Sequence, residues 1–285
     1  MTAQSYPAPA KLNLMLRIVG RRADGYHLLQ TVFRFIDYAD EVRIAVRQDG
    51  EIQRIRELPC VPLDEDLTIR AARLLKSATG SALGADIELV KRVPMGGGLG
   101  GGSSDAATVL LALNRLWGTG LTRLRLQELG LRLGADVPVF VFGESALAEG
   151  IGEVLTPVAL PPSWYVVLVP PVSVATARIF SDPDLKRDSK TIKIAGFSVS
   201  AAVLRELSEA ANDMQSLVSR LYPEVARHLD WLRQHGRALM TGSGAAVFAA
   251  YDSAEAAQGV IAQLPAGMNG FVARGLDRHP LRDLV

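Results

Sequence analysis

The chain is 285 residues long, enough for more than one hydrophobic core without disulfides or metals to staple it. With 31 Lys and Arg against 30 Asp and Glu, the formal net charge is only +1, which removes any general electrostatic basis for a nucleic-acid or anionic-membrane partner and confines phosphate chemistry to a local site. A single cysteine, Cys60, excludes an intrachain disulfide, no Cys/His cluster has zinc spacing, and a reducing compartment is expected.

The amino-terminal run MTAQSYPAPAK lacks the basic-then-apolar pattern of a signal peptide, and nothing reaches the ~20 apolar residues that cross a bilayer; a cytoplasmic protein without membrane association is expected. Alternating apolar residues predict strands at Lys11–Val19, Leu29–Ile36 and Glu41–Arg47, the first two separated by a turn at Ala23-Asp24-Gly25. Asp64 is placed to cap a helix with Leu67, Ala71, Leu74, Leu75 and Ala78 on one face, and Gly80 to end it. A strand at Ala85–Val90 leads into a glycine-rich loop, followed by helices at Ser104–Trp117 and Thr122–Leu133 and a break at Gly134-Ala-Asp-Val-Pro138. The prolines between Pro157 and Pro162 mark a domain junction, giving domains 1–157 and 158–285. Beyond it the pattern predicts a buried strand at Trp164–Val169, helices at Val199–Leu207, Pro223–His235 and Ala254–Leu264, and strands at Ala238–Met240, Ala246–Tyr251 and Gly270–Arg274, an α+β arrangement. The charged run Asp182–Lys193 reads as a mobile surface loop.

The strongest signal is the loop Pro94, Met95, Gly96, Gly97, Gly98, Leu99, Gly100, Gly101, Gly102, Ser103 and Ser104, with six glycines in seven positions, entered from a strand and left through a helix. Without side chains in the way, backbone N–H groups can converge on phosphate oxygens, and the following helix adds the positive end of its dipole. Ser103 and Ser104 either cap that helix or reach phosphate and magnesium; Asp105 reads as a charge complementing the helix start. Gly96, Gly98 and Gly101 also satisfy G-x-G-x-x-G, but the acidic residue that a dinucleotide site wants about 20 positions later is missing, and no Gly-Lys-Ser/Thr closes a Walker loop.

This loop resembles that of the GHMP kinase superfamily. Pro9-Ala-Lys-Leu-Asn13, Arg22-Ala-Asp-Gly-Tyr-His27, Gln30-Thr31, Gly134-Ala-Asp-Val-Pro138, Ala148-Glu-Gly150, Ile179-Phe-Ser-Asp-Pro183, Asn212-Asp213 and Thr241-Gly-Ser-Gly244 extend the resemblance over nearly the whole chain. It implies an α+β fold of two domains, an ATP-binding amino-terminal one like a ribosomal-protein domain and a ferredoxin-like, substrate-binding carboxyl-terminal one. It also implies ATP, brought as MgATP, as phosphoryl donor to the 2-hydroxyl of 4-diphosphocytidyl-2-C-methyl-D-erythritol, a small-molecule partner.

Phosphoryl transfer needs a group to take the attacking hydroxyl's proton. Asp136 alone reads as a capping or turn aspartate; the resemblance makes it the base. Lys11, in an apolar strand where an unpaired lysine is costly, is placed to orient Asp136 and offset charge on the γ-phosphate. Asn13, two residues on, shares its strand face and is expected at the substrate's diphosphate or hydroxyls. The resemblance makes Tyr26 and Phe180 two faces of a cytosine sandwich, with His27 its hydrogen-bond partner; each otherwise reads as packing or a turn. The Thr241–Gly244 turn presents further backbone donors or simply joins two strands. Rival readings are another kinase of the superfamily acting on mevalonate, phosphomevalonate or homoserine, a non-catalytic nucleotide sensor, and a dinucleotide-dependent oxidoreductase.

Overall fold

The computed structural model describes residues 2–59, 61–192, 207, 209 and 211–285; Cys60, Lys193 and the predicted helix at Val199–Leu207, except Leu207 itself, lie outside them. A ten-stranded sheet organises the described residues. Its spine is a long antiparallel hairpin of β1 (Gln4–Arg21) and β2 (His27–Arg47). Along its other edge β2 pairs in turn with β5 (Ala146–Glu149), β10 (Gly270–Leu276) and β4 (Gly84–Val90). The short strands β3 (Ile52–Arg54) and β6 (Val154–Pro157) extend β4 and β5. Through β10 the sheet continues to β7 (Trp164–Leu168), β9 (Val247–Tyr251) and β8 (Ala238–Met240).

The sequence pattern splits β2 at Asp37–Asp40, yet the strand runs through, because those carboxylates find partners within the sheet. Asp40 is buried and accepts hydrogen bonds from the backbone N–H groups of Arg92 (2.5 Å) and Val93 (2.8 Å) and from the Lys91 ammonium. Asp37 accepts from the N–H of Arg274 at 2.7 Å. Paired in this way, an acidic residue costs a strand little.

Helices α1 (Leu67–Thr79) and α2 (Gly101–Leu116) pack together against this sheet, with α3 (Arg123–Leu131) and α4 (Val137–Phe142) alongside. The cap of α1 is Asp66 rather than Asp64, its side chain accepting from the N–H of Thr68; Gly80 ends the helix in the left-handed conformation. The Ala/Leu composition of α2 is explained by its burial from Ser104 to Asn114. The second half adds α5 (Thr176–Ser181), α6 (Gln215–Leu221), α7 (Pro223–Arg233) and α8 (Ala254–Ile261) around its own core of Val166, Leu168, Leu229, Met240 and Val247. A third cluster joins the halves, combining Ala10, Leu12 and Val32 with Val167 and Phe248.

The charged run after α5 does not hang free. Leu185 and Ile192 are buried, the N–H of Ser189 donates to the carbonyl of Ile18, and the N–H of Ile192 donates to Gln30 Oε1. Most of its charges face outward while the buried side chains of Leu185 and Ile192 hold it down, a spacing too sparse for the sequence pattern to register.

Candidate active site

Register along the β1–β2 hairpin slips between Pro9 and Lys11 and again between Asn13 and Met15. Between those bulges the pairing is regular, so Lys11 and Asn13 share one face. Lys11 Nζ donates to Asn13 Oδ1 at 2.5 Å and to the carbonyl of Gly98 at 2.9 Å, and lies 3.2 Å from Asp136 Oδ2. The lysine is 2 % exposed, and its charge is compensated by these oxygens and by the ring of Phe33, 5.4 Å away. Asp136 occupies the N-cap position of α4 yet makes no capping hydrogen bond, which leaves its half-exposed carboxylate aimed at Lys11. Asn13 is turned inward: Nδ2 donates to Thr31 Oγ1, whose hydroxyl donates to the carbonyl of Met15, and its backbone N–H donates to Thr241 Oγ1.

The glycine loop arches over this lysine. Leu99, its one apolar side chain among the glycines, is buried in the cluster that joins the halves, an anchor of about 2 kcal/mol. The Lys11 N–H bonds the carbonyl of Leu99, and the Ala246 N–H bonds that of Gly97, so the loop is strapped to both halves. Gly98 has φ 74°, and a Cβ there would stand 2.3 Å from the carbonyl oxygen of Thr241. At Gly100 a Cβ would meet the Lys11 side chain at 2.9 Å. Two positions therefore demand glycine for space as well as for backbone conformation.

Helix α2 starts at Gly101, and its N-cap is Gly100, with no side-chain capping bond. Neither Ser103 nor Ser104 caps it. Ser104 is fully buried, its hydroxyl without a partner, whereas Ser103 is half-buried on the cleft wall. Asp105 lies past the first turn and is buried against Lys91 at 2.9 Å, so it does not serve the helix start as expected. Burial pushes its carboxyl well above the usual carboxylate range, against the pull of Lys91.

Two cavities meet at the loop. One of about 730 Å³ holds Lys11, Asn13, Asp136, Tyr26, His27 and Phe180. The other, of about 430 Å³, lies across the loop between Leu67, Lys91, Pro94 and Met95. Gly96, Gly98, Gly100 and Ser103 border both, so a phosphate chain threading past the loop would join the cavities at Lys11 and Asp136. Gly242, Ser243 and Gly244, in the β8–β9 turn that packs against the loop at Gly98, also line the first cavity.

At its far end, Tyr26 stands on the hairpin turn with 59 % exposure, and His27, not Tyr26, stacks on Phe180, ring centroids 4.7 Å apart at 23°. Burial, with Arg187 and Arg21 nearby, lowers the His27 pKa and so favours the neutral ring. Arg187 was not legible as a site residue. It lies in a charged run, and what ties it to the cavity is its Nε, 3.0 Å from His27 Nε2, and its Nη2, 3.0 Å from the carbonyl of Phe180.

Comparison with known proteins identifies the family. The family model "GHMP kinases N terminal domain" matches residues 66–144, and "GHMP kinases C terminal" matches residues 199–270. A 4-diphosphocytidyl-2-C-methyl-D-erythritol kinase of Thiobacillus denitrificans is 59% identical over 283 residues, 99% of each chain. One of Nitrosospira multiformis is 56% identical, covering 99% of this chain and 94% of that protein. The crystal structure of a 4-(cytidine 5'-diphospho)-2C-methyl-D-erythritol kinase superposes with TM-score 0.80 at 35% identity, covering 95% of this chain and 99% of the other. A Methanococcus jannaschii mevalonate kinase, 16% identical with TM-score 0.67 and covering 96% and 98% of the two chains, shares the fold. The chain belongs to the GHMP kinase family, in the branch made up by these 4-diphosphocytidyl-2-C-methyl-D-erythritol kinases.

Proposed function

We propose that the protein transfers the γ-phosphate of ATP to the 2-hydroxyl of 4-diphosphocytidyl-2-C-methyl-D-erythritol, a step in non-mevalonate isoprenoid precursor synthesis. The observation that carries this reading is the Lys11–Asp136 pair, 3.2 Å apart, at the junction of two cavities divided by a glycine loop. Asp136 takes the proton of the 2-hydroxyl as its oxygen attacks the γ-phosphorus and ADP leaves. Lys11 holds Asp136 in place and offsets the charge that develops on the transferred group. Asn13, fixed by Thr31, orients Lys11 from below. Backbone N–H groups of residues 96 to 104 receive the ATP phosphates, and the cavity beside Leu67 and Met95 receives the rest of the nucleotide.

Across the loop, Tyr26 and Phe180 wall a slot for cytosine, and His27 reads its edge. Residues 1–157 carry the ATP side and residues 158–285 the remainder of the substrate side. Among the described residues no group of three or more His, Cys, Asp or Glu side chains is placed to hold a metal. Ser103 is the hydroxyl that would lie nearest a magnesium ion brought on the ATP phosphates, whose chemistry would be to neutralise charge on the transferred group. The same residues argue against a non-catalytic sensor, which has no use for a base and lysine held in reach of each other.

The test is ADP release from MgATP by the purified protein, offered 4-diphosphocytidyl-2-C-methyl-D-erythritol, mevalonate and homoserine in parallel. Turnover is expected with the first alone. Turnover with another substrate would overturn the cytosine slot while keeping the kinase chemistry, and silence with all three despite ATP binding would favour the sensor.

A further inference from the structure

Arg187 makes five hydrogen bonds, as many as a guanidinium has N–H groups. Four curl the chain after α5: Nη2 donates to the carbonyls of Phe180 (3.0 Å) and Asp182 (2.7 Å), and Nη1 to those of Leu185 (2.9 Å) and Pro183 (3.4 Å). The fifth runs from Nε to His27 Nε2 at 3.0 Å. One side chain thereby fixes both the segment that carries Phe180 and the imidazole stacked upon it.

A guanidinium only donates and stays charged, so the nitrogen it faces must accept. His27 Nε2 is that nitrogen, and a neutral ring then carries its proton on Nδ1. Protonating Nε2 would set two N–H groups against each other beside the positive charges of Arg187 and Arg21. The lowered pKa of His27 agrees with this constraint.

We propose that Arg187 is a specificity-determining positioning residue, which locks His27 in the Nδ1–H tautomer so that the cleft offers the substrate's base one fixed hydrogen-bond donor. The proposal rests on the reading that the cleft takes a cytidine diphosphate. A base stacked on Phe180 beside the imidazole lies near the plane of that ring, the geometry an edge-to-edge N–H···N bond requires. Cytosine presents an unprotonated ring nitrogen, N3, along that edge. Uracil carries a hydrogen on the same atom, so a locked donor accepts the first and opposes the second. Without Arg187 the imidazole is free to take either tautomer, and this discrimination relaxes.

Two measurements test the lock. NMR of isotope-labelled histidine in the unliganded protein, with the His27 signals assigned by their loss in His27→Gln, should show Nδ1 protonated and Nε2 bare at neutral pH. A protonated Nε2 overturns the proposal without any Arg187 variant having to fold. Kinetics with the cytidine substrate and its uridine counterpart should then show that Arg187→Ala lowers the discrimination in kcat/KM by roughly tenfold or more, through KM for the cytidine substrate, with kcat near wild type. Arg187→Lys, which keeps a donor for Nε2, should retain more of the discrimination than Arg187→Ala. An active wild-type protein whose folded Arg187→Ala variant keeps the full ratio overturns the proposal alone. A wild-type protein inactive on the cytidine substrate overturns the functional reading and the proposal together.

Discussion

The two ends of the cleft are built from different materials. The end proposed for phosphate is walled mainly by backbone, a glycine loop and the start of α2, with one buried lysine drawn up against Gly98 and Asp136. The end proposed for the base is built of side chains from sequence-distant segments, His27 from the hairpin meeting Phe180 of α5 and Arg187 from the run after α5. A backbone site is preorganised by the fold and tolerates little change in position. A side-chain site is held by a few hydrogen bonds and can lose one contact at a time. Damage at the first end should therefore appear in kcat, and damage at the second in KM.

The sharpest break of that contrast is Asp136→Ala, expected to lower turnover by roughly 10²–10⁴-fold while ATP still binds. Single-turnover kinetics with an independent ATP titration separates the two, and near-normal turnover would sink the assignment. Next is Gly98→Ala, whose Cβ would stand 2.3 Å from the carbonyl oxygen of Thr241 and force the loop to shift. A displacement approaching 1 Å beside the reacting groups costs about 10²-fold. That loss should appear in kcat at saturating ATP, and an unchanged value would show that the loop position is not critical.

Phe180→Ala should raise KM for the cytidine substrate by about tenfold, the scale of one lost base-stacking contact, and leave kcat and the ATP parameters nearly alone. A fall in kcat of the same size would erase the distinction between the ends.

The smallest effect at neutral pH belongs to His279, packed edge-on against Phe35 and Phe140 behind α4, where burial pushes its pKa down to about 3. An unfolded histidine titrates near ~6.5, so below that pH the unfolded chain binds a proton that the folded one refuses. The stability that goes with the neutral ring is complete above pH 6.5 and drains away as pH falls toward 3, by up to about 1.4 kcal/mol per unit. Urea unfolding at stepped pH values should show that slope, with His279→Gln removing most of it. A slope unaltered by the substitution would assign acid sensitivity elsewhere.

Local sequence made the glycine loop and the common face of Lys11 and Asn13 legible because each is a short contiguous pattern. Six glycines in seven residues between a strand and a helix have few other uses, and the two-residue spacing of Lys11 and Asn13 fixes their common face in any extended strand. Gly80 as a helix terminator was legible for the same reason: turn chemistry is a local quantity. What only the tertiary structure decided involves residues whose meaning depends on a distant partner. Asp40 interrupts the strand pattern until Lys91 and the backbone of Arg92 and Val93 come round to neutralise it. Asp105 reads as a helix-start charge until burial pairs it with Lys91, and Asp136 reads as a cap until Lys11 arrives 3.2 Å away. Arg187 sits in a run that looks solvated, and it finds His27 across 160 residues of chain. A charged side chain takes its role from whatever compensates it, and sequence proximity does not say what that will be.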